Sequence, residues 1–99
     1  MTPKKKYTVK GKIFAYSVDP TSWYFIYVDK KDSVEIKNKA TKKVGFGFIP
    51  VEVTLKKTIW RTTLFPTKEG PYLISLKKMV RQKEGLFAGE RITLTFRLL

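Results

Sequence analysis

Apolar and polar residues alternate along much of the chain, a pattern typical of β-strands that bury one face. The alternation is most regular in the segment RITLTFRL, residues 91–98. It predicts a strand with Ile92, Leu94, Phe96 and Leu98 facing the core and Arg91, Thr93, Thr95 and Arg97 facing solvent. The segment VEVTLK, residues 51–56, alternates in the same way, and Pro50 before it favours a strand that starts at an edge or a bulge.

Two further strands are predicted in the N-terminal third. Tyr7, Val9 and Ile13 share one face of the first, and Gly11 permits a bulge or a sharp bend within it. The tetrapeptide DPTS, residues 19–22, predicts a turn, because proline fixes its own φ angle and keeps the preceding residue out of the helical region. The segment WYFIYV, residues 23–28, is apolar at every position and predicts a central strand covered on both faces.

The pattern leaves the secondary structure of residues 31–43 open. Asp32 or Ser33 could cap a short helix, whereas Val34 and Ile36 alternate as in a strand. Further on, TIWRTTLF at 58–65 predicts a strand, PTKEG at 66–70 a short hairpin turn and PYLISL at 71–76 another strand.

A helix of about two turns is predicted after this strand, with Ser75 as its cap. Three apolar residues at helical spacing would face the core: Leu76, Met79 and Val80. Three cations would remain outside: Lys77, Lys78 and Arg81. Gly85 predicts the end of this helix, and Gly89 predicts a left-handed turn before the last strand.

These elements favour an all-β fold, a small closed or split β-barrel of about six strands with one short helix before the last strand. Closure would remove the free edges that such apolar strands otherwise expose. An α+β open sheet is the alternative. Residues 1–6 are expected to form a flexible basic arm and residues 7–99 a single β-barrel domain.

Two segments carry a resemblance to a known family: FIPVEVTL at 48–55 and WRTTLFPTKEGPYLISLKKMVRQKEGLFAGERITLTF at 60–96. They resemble DUF1905, a domain of unknown function that forms a small barrel and occurs alone or beside a bacteriocin-protection (OmpD-associated) domain. The resemblance covers most of the chain from Tyr7 onward and is most specific between Trp60 and Glu90. The chain departs from the family pattern at Thr63, where serine is more common, and at Glu90, where aspartate is more common.

This resemblance implies the barrel fold and assigns no activity. The order of strand, helix, Gly-acid turn and strand is also similar to swapped-hairpin and other split barrels, some of them DNA-binding transcription factors. That second likeness concerns architecture alone, and a fold does not transfer a function.

Composition narrows the possible chemistry. The chain contains no cysteine and no histidine, which excludes disulfides, thiol and imidazole catalysis and the usual zinc sites. It also lacks a P-loop, a dinucleotide fingerprint and an EF-hand, so no metal or cofactor is expected and a non-catalytic role is favoured. Without a long apolar run or a signal peptide, the sequence predicts a cytoplasmic protein.

The net charge of +13, from 21 basic and 8 acidic residues, predicts attraction to polyanions such as nucleic acid. A composition adapted to solubility or to heat is the alternative. A single Asn, a single Gln and the absence of Cys are typical of such proteins, but Lys here greatly exceeds Glu.

Five residues form the first candidate site, an anion or ligand site between the TIWRTTLF strand and the helix: Arg61, Thr63, Lys77, Lys78 and Arg81. Ammonium and guanidinium groups beside the free backbone N–H groups of a helix start suit a phosphate. The alternative is an ordinary exposed surface.

Aromatic residues supply a second set of candidates. Trp60, Phe65 and Tyr72 are candidates for stacking or for lining a pocket, although core packing is favoured for Trp60. Five aromatic residues interleave with lysines, and most of them are expected in the core: Tyr16, Trp23, Tyr24, Tyr27 and Tyr72. Arg91 and Arg97 belong to an exposed stripe that could follow a phosphate backbone.

The leading functional hypothesis is therefore a binding module that engages nucleic acid through its phosphates, without strong sequence preference. One alternative is a barrel that holds a small anionic metabolite between the Trp60 to Phe65 strand and the helix. The other is an accessory domain that binds a protein partner.

Overall fold

The computed structural model describes residues 5–18, 21–39 and 47–99. It contains seven strands and two helices. In chain order these are β1 (Lys6–Lys12), β2 (Phe14–Val18), β3 (Thr21–Tyr27), α1 (Lys30–Lys39), β4 (Ile49–Leu55), β5 (Thr58–Phe65), β6 (Leu73–Ser75), α2 (Lys78–Glu84) and β7 (Arg91–Leu98).

The strands form one antiparallel sheet in the order β1-β7-β4-β5-β6-β3-β2. The two end strands, β1 and β2, are consecutive and separated only by Ile13, so the sheet curls until its two ends meet in one bent strand. The Ile13 N–H donates to the Glu90 carbonyl at 2.9 Å, and the Ile13 carbonyl accepts from the Gly89 N–H at 2.7 Å. This confirms the predicted all-β split barrel, with seven strands instead of about six and two helices instead of one.

The barrel interior holds the predicted apolar faces. Val51, Val53 and Leu55 of β4 are buried, as predicted. Antiparallel register places four inward side chains in one row across the wall: Tyr7, Phe96, Val53 and Trp60. The rings of Tyr7 and Phe96 stack with centroids 5.2 Å apart, so aromatic packing on the inward side supports the pairing of β1 with β7.

Helix α1 covers one end of the barrel and settles the assignment that the pattern left open. The helix buries Ser33 and Ile36, three residues apart on one face, and leaves Val34 exposed. The spacing of two between Val34 and Ile36 therefore does not reflect a strand. The helix begins at Lys30, so Asp32 and Ser33 lie in its first turn and are not its cap. Residues 40–43 lie outside the described residues.

Two polar residues of α1, Ser33 and Glu35, tie this helix to the barrel. The Ser33 hydroxyl donates to the Val28 carbonyl at 3.4 Å and accepts from the Tyr72 N–H at 3.1 Å. The Tyr7 hydroxyl donates to Glu35 Oε2 at 2.6 Å, and Lys5 Nζ lies 2.9 Å from the same oxygen. These bonds lower the pKa of Glu35 to about 2, and burial together with the Glu35 carboxylate raises the pKa of Tyr7.

Helix α2 begins later than predicted. Ser75 is the last residue of β6, so the helix starts at Lys78, and Lys77 before it makes no side-chain capping bond. This shift changes which residues face the barrel: Val80 is buried, but Met79 is 71% exposed instead of packing in the core. Leu76 is buried just ahead of the helix.

Strand β3 was predicted to be covered on both faces, and this is wrong. Ile26 and Val28 are buried on the inward side, whereas Trp23 and Tyr27 on the outward side are 47% and 51% exposed. β3 does lie between two strands, β6 and β2, but no described element packs on the outside of the barrel wall over it. The segment is apolar at every position because its outward side chains form an exposed aromatic surface.

The turns predicted at Gly85 and Gly89 agree with the structure, whereas Thr21 and Ser22 of the predicted DPTS turn belong to β3. Gly85 ends α2 with a φ of 66°, and Gly89 has a φ of 92°. Glu90 Oε1 accepts from the Phe87 N–H at 3.3 Å, so the longer acid still caps this turn. Val18 pairs with Thr21, so the chain reverses between them, and Asp19 and Pro20 lie outside the described residues.

The boundaries of two predicted segments also shift. Residues 1–4 of the expected basic arm lie outside the described residues, and Lys6 is already the first residue of β1, paired with Arg97. Pro50 lies in β4, an interior strand between β7 and β5, and not at an edge of the sheet. It precedes Val51, the first β4 residue in register with β7, and its carbonyl accepts a hydrogen bond from the Leu99 N–H at 3.2 Å.

Substitution of Gly11 by valine should destabilise the barrel. A Cβ atom at Gly11 would lie 3.3 Å from Ile26 Cγ1 and 3.4 Å from its Cδ1, where β1 approaches β3 to close the sheet. We expect Gly11→Val to lower the free energy of unfolding by about 1–3 kcal/mol, measured by urea denaturation. Thr8→Val, on the outward side of the same strand, is the control and should change it little. A Gly11→Val variant as stable as the wild type would show that this close approach is not needed.

The Tyr7 to Glu35 hydrogen bond should make stability depend on pH in the acid range. The folded protein holds the pKa of Glu35 at about 2, against an ordinary value of 4.5, so this stabilisation is complete above pH 4.5 and is lost as pH falls towards 2. Tyr7→Phe should therefore lower the melting temperature above pH 4.5 and should converge with the wild type near pH 2. Tyr16→Phe, which removes an exposed hydroxyl, should keep the wild-type profile. An equal loss at every pH in Tyr7→Phe would contradict this role of Glu35.

Candidate functional site

Six cationic side chains lie on the outward side of three strands, β1, β7 and β5, and β4 lies between the last two. We call this surface the basic face and define it by Lys6, Lys10, Lys12, Arg61, Arg91 and Arg97. Residues directly opposite each other in antiparallel strands share one side of the sheet, so register decides which cations meet. Lys6 pairs with Arg97, Arg97 with Glu52 and Glu52 with Arg61, which makes one row across all four strands.

The basic face extends along the strands as well as across them. Lys12 pairs with Arg91 at the opposite end of the β1–β7 ladder from the pair of Lys6 and Arg97. The two pairs are six positions apart along extended strands, a distance of about 20 Å. Four threonines occupy outward positions between the cations: Thr8, Thr54, Thr93 and Thr95. Their hydroxyl groups add hydrogen-bond donors to the positive charges.

Glu52 is the only carboxylate on the basic face among the described residues. Its Oε1 accepts a hydrogen bond from Arg97 Nε at 3.0 Å, which neutralises one of the six cations and fixes the Arg97 side chain. A shallow concavity of about 310 Å³ adjoins this pair and is also lined by Lys6, Thr54 and Thr95. The face therefore keeps a surplus of positive charge around a hollow.

The cations predicted to form a helix site do not join the basic face. The Arg81 guanidinium lies 3.8 Å from the centroid of the Tyr24 ring, and Arg81 Nε donates to the Leu76 carbonyl at 3.1 Å. Tyr24 is on the inward side of β3, whereas Arg61 is on the outward side of β5, so Arg81 and Arg61 lie on opposite sides of the sheet. Arg81 contributes to the docking of α2, and Lys77 and Lys78 are exposed at its start.

The predicted aromatic and hydroxyl candidates on β5 and just before β6 do not all lie on the same side of the barrel wall. Trp60 faces inward and is 7% exposed, so the expected core packing is confirmed. Its indole N–H has no hydrogen-bond partner among the described residues. Thr63 and Phe65 are half-buried on the outward side of β5. Tyr72 is buried, which raises its pKa, and it lines a cleft of about 250 Å³ between α1 and the β5–β6 turn.

Seven aromatic side chains, half of those in the chain, lie together on the outward side of β2, β3 and the adjacent part of the wall. We call this surface the aromatic face and define it by Phe14, Tyr16, Trp23, Phe25, Tyr27, Phe48 and Phe65. Register pairs Phe14 with Phe25 and Tyr16 with Trp23 across the β2–β3 hairpin. Phe65 packs edge-on against both Phe25 and Phe48, with ring centroids 6.1 and 5.0 Å apart, and Phe14 joins this group through Phe25 and Tyr27. Tyr16 and Trp23 form a separate stacked pair next to these five rings.

The aromatic face was not predicted as a unit. Tyr16, Trp23 and Tyr27 were expected to be mostly in the core, and this is wrong, because each is about half exposed. A signal was present in the segment 23–28. Its even positions end in Ile26 and Val28, which suit a barrel interior, and its odd positions are all aromatic. The outward side is therefore the aromatic one.

Two further properties concern the described part of the chain. It contains no group of three or more metal-ligating side chains placed to hold an ion. Neither α1 nor α2 has the length and apolar character of a membrane-spanning helix.

Comparison with known proteins agrees with the fold. No curated protein sequence matches the chain. A family model described as a domain of unknown function, DUF1905, matches residues 8–96. The match begins within β1 and ends within β7, so it includes nearly the whole barrel wall, as the resemblance in the sequence implied. The chain belongs to the DUF1905 family.

Proposed function

We propose that the protein is a non-catalytic module that binds nucleic acid through its phosphates, with the basic face as the contact surface. The observation that carries this proposal is the row of Lys6, Arg97, Glu52 and Arg61, which spans four strands in register. Strand pairing fixes the positions from which these side chains project on the outward side of the wall. The single carboxylate in the row neutralises one of its three cations, so the row keeps a net positive charge.

The basic face suits phosphate groups better than it suits base edges. Lysine, arginine and threonine side chains on a sheet are typical phosphate contacts, which position a nucleic acid without reading its sequence. Neither helix lies on this face to enter a major groove, since α1 and α2 pack against the ends of the barrel. The proposal is therefore binding with little sequence preference, driven by the release of counterions.

Neutralising two arginines of the basic face should weaken binding and reduce its salt dependence. We choose Arg61 and Arg91 because both are exposed and neither has an ion-pair partner among the described residues. In Arg61→Gln/Arg91→Gln, the slope of log affinity against log salt should become shallower by about 0.9 per lost duplex contact and about 0.7 per lost single-strand contact. Fluorescence anisotropy between about 50 and about 200 mM salt measures both slopes.

The matched control is Lys31→Gln/Lys83→Gln, which removes the same charge from exposed positions on α1 and α2. It should keep nearly the wild-type slope. Equal effects of the two double variants would mean that charge acts from the whole surface, and the basic face would not be the site. A mononucleotide that competes as well as an oligonucleotide would instead favour a small anionic ligand in the concavity beside Arg97.

A further inference from the structure

The aromatic face is an exposed apolar surface that the described elements leave uncovered. Tyr16, Trp23 and Tyr27 are 58%, 47% and 51% exposed, and all three lie on β2 and β3. Scattered apolar residues are common on protein surfaces, but a continuous cluster of rings usually marks an interaction site.

The rings on this face are held in a fixed arrangement. Tyr16 and Trp23 lie nearly parallel, with an interplanar angle of 20° and centroids 6.4 Å apart. Phe14 and Tyr27 stack more closely, at 21° and 4.9 Å. Behind them, Phe25 and Phe65 meet edge to face and are only partly exposed. Each exposed ring therefore has an aromatic neighbour that restricts its motion, which lowers the side-chain freedom to be lost when a planar ligand stacks on it.

The aromatic face continues directly into the basic face at two borders. On β5 the successive outward residues are Arg61, Thr63 and Phe65. On the bent strand that joins β1 to β2, they are Lys12 and then Phe14. Successive outward positions lie about 7 Å apart along a strand, so Lys12 and Phe14 are close neighbours, whereas Arg61 and Phe65 lie about 14 Å apart with Thr63 between them.

We infer that the aromatic face stacks unpaired bases of single-stranded DNA or RNA whose phosphates lie on the basic face. This inference rests on the proposed function and names the form of nucleic acid that is bound. A duplex hides the faces of its bases, whereas a single strand offers both planar rings and phosphates. Aromatic platforms beside positive grooves are the general means of binding single strands without sequence preference.

Charge complementarity favours this occupant over a protein partner or a second copy of the chain. The net charge of +13 opposes self-association, and the basic face borders the aromatic one at Lys12 and Arg61. A polyanion that carries its own planar groups satisfies both surfaces together. An apolar partner would cover the rings and leave the adjacent cations uncompensated.

Trp23 provides a direct optical test. The chain has two tryptophans, of which Trp60 is buried in the core and Trp23 lies on the aromatic face. Titration of the wild-type protein with a single-stranded oligonucleotide at low salt should quench its tryptophan emission, whereas a duplex of equal length should quench it little. In Trp23→Phe the remaining emission comes from Trp60 and should not change on titration. Quenching that persists in Trp23→Phe would overturn the inference.

Affinity measurements give the second test. Trp23→Ala and, separately, Tyr27→Ala should each weaken single-strand binding by about 5-fold to about 150-fold, because one stacked base is lost. Duplex affinity should stay at the wild-type value in both variants. Met79→Ala, which truncates an apolar side chain that is more exposed than Trp23 or Tyr27 but lies outside the aromatic face, is the control and should bind as the wild type does. Thermal melting confirms that each variant is folded.

The outcomes separate this inference from the proposed function. If no nucleic acid binds at low salt, both fail. If single strands and duplexes bind alike, lose affinity in Arg61→Gln/Arg91→Gln and ignore Trp23→Ala, the basic face stands and base stacking is wrong. If Trp23→Ala instead abolishes a concentration-dependent dimer seen by sedimentation, the aromatic face is a contact between copies of the chain, and the inference is overturned.

Discussion

The bend at Ile13 is the constraint on which the rest of the structure depends. It turns the ends of the sheet towards each other, and its backbone is held by two hydrogen bonds to the turn before β7. Gly11 next to it lets β1 approach Ile26 within the distance that closure requires. The bend also preserves the alternation of the chain, so that Ile13 points inward between Lys12 and Phe14, which point outward. The bend at Ile13 therefore both closes the barrel and determines which neighbouring side chains lie on its outer surface.

Stability and surface chemistry are two requirements that often compete in small domains, and in this barrel they depend on different residues. Its stability comes from inward residues and from the helices that cover its ends, such as Ile36 of α1 and Val80 of α2. The outward positions contribute less to the core, and their composition is free to vary from strand to strand. In this chain β1 and β7 use that freedom for cations and threonines, while β2 and β3 use it for aromatic rings. The two faces are thus properties of strand composition and strand order.

Much of the fold could be predicted from the sequence, because β4 and β7 alternate apolar with polar residues, and only a strand fits that period. Residues 30–39 could not be assigned in this way, since Val34 and Ile36 fit two periods and packing against Val28 and Tyr72 decides between them. The site was predicted only in part. Arg61 and Arg97 lie in one row, on either side of Glu52, because β4 lies between β5 and β7. This strand order comes from long-range pairing that local patterns do not contain. Arg81 lies elsewhere because α2 begins at Lys78, which turns that side chain towards Tyr24.

A barrel that is positive on one flank and apolar on the next responds to ionic strength in two opposite ways. At low ionic strength the long-range repulsion between positive flanks keeps the molecules apart, and the aromatic flanks rarely touch. At about 1 M salt the screening length falls to about 3 Å, and that repulsion vanishes while attraction between apolar surfaces persists. The concentrated salt commonly used to strip polyanions from a basic protein would therefore also remove the force that keeps this one dispersed.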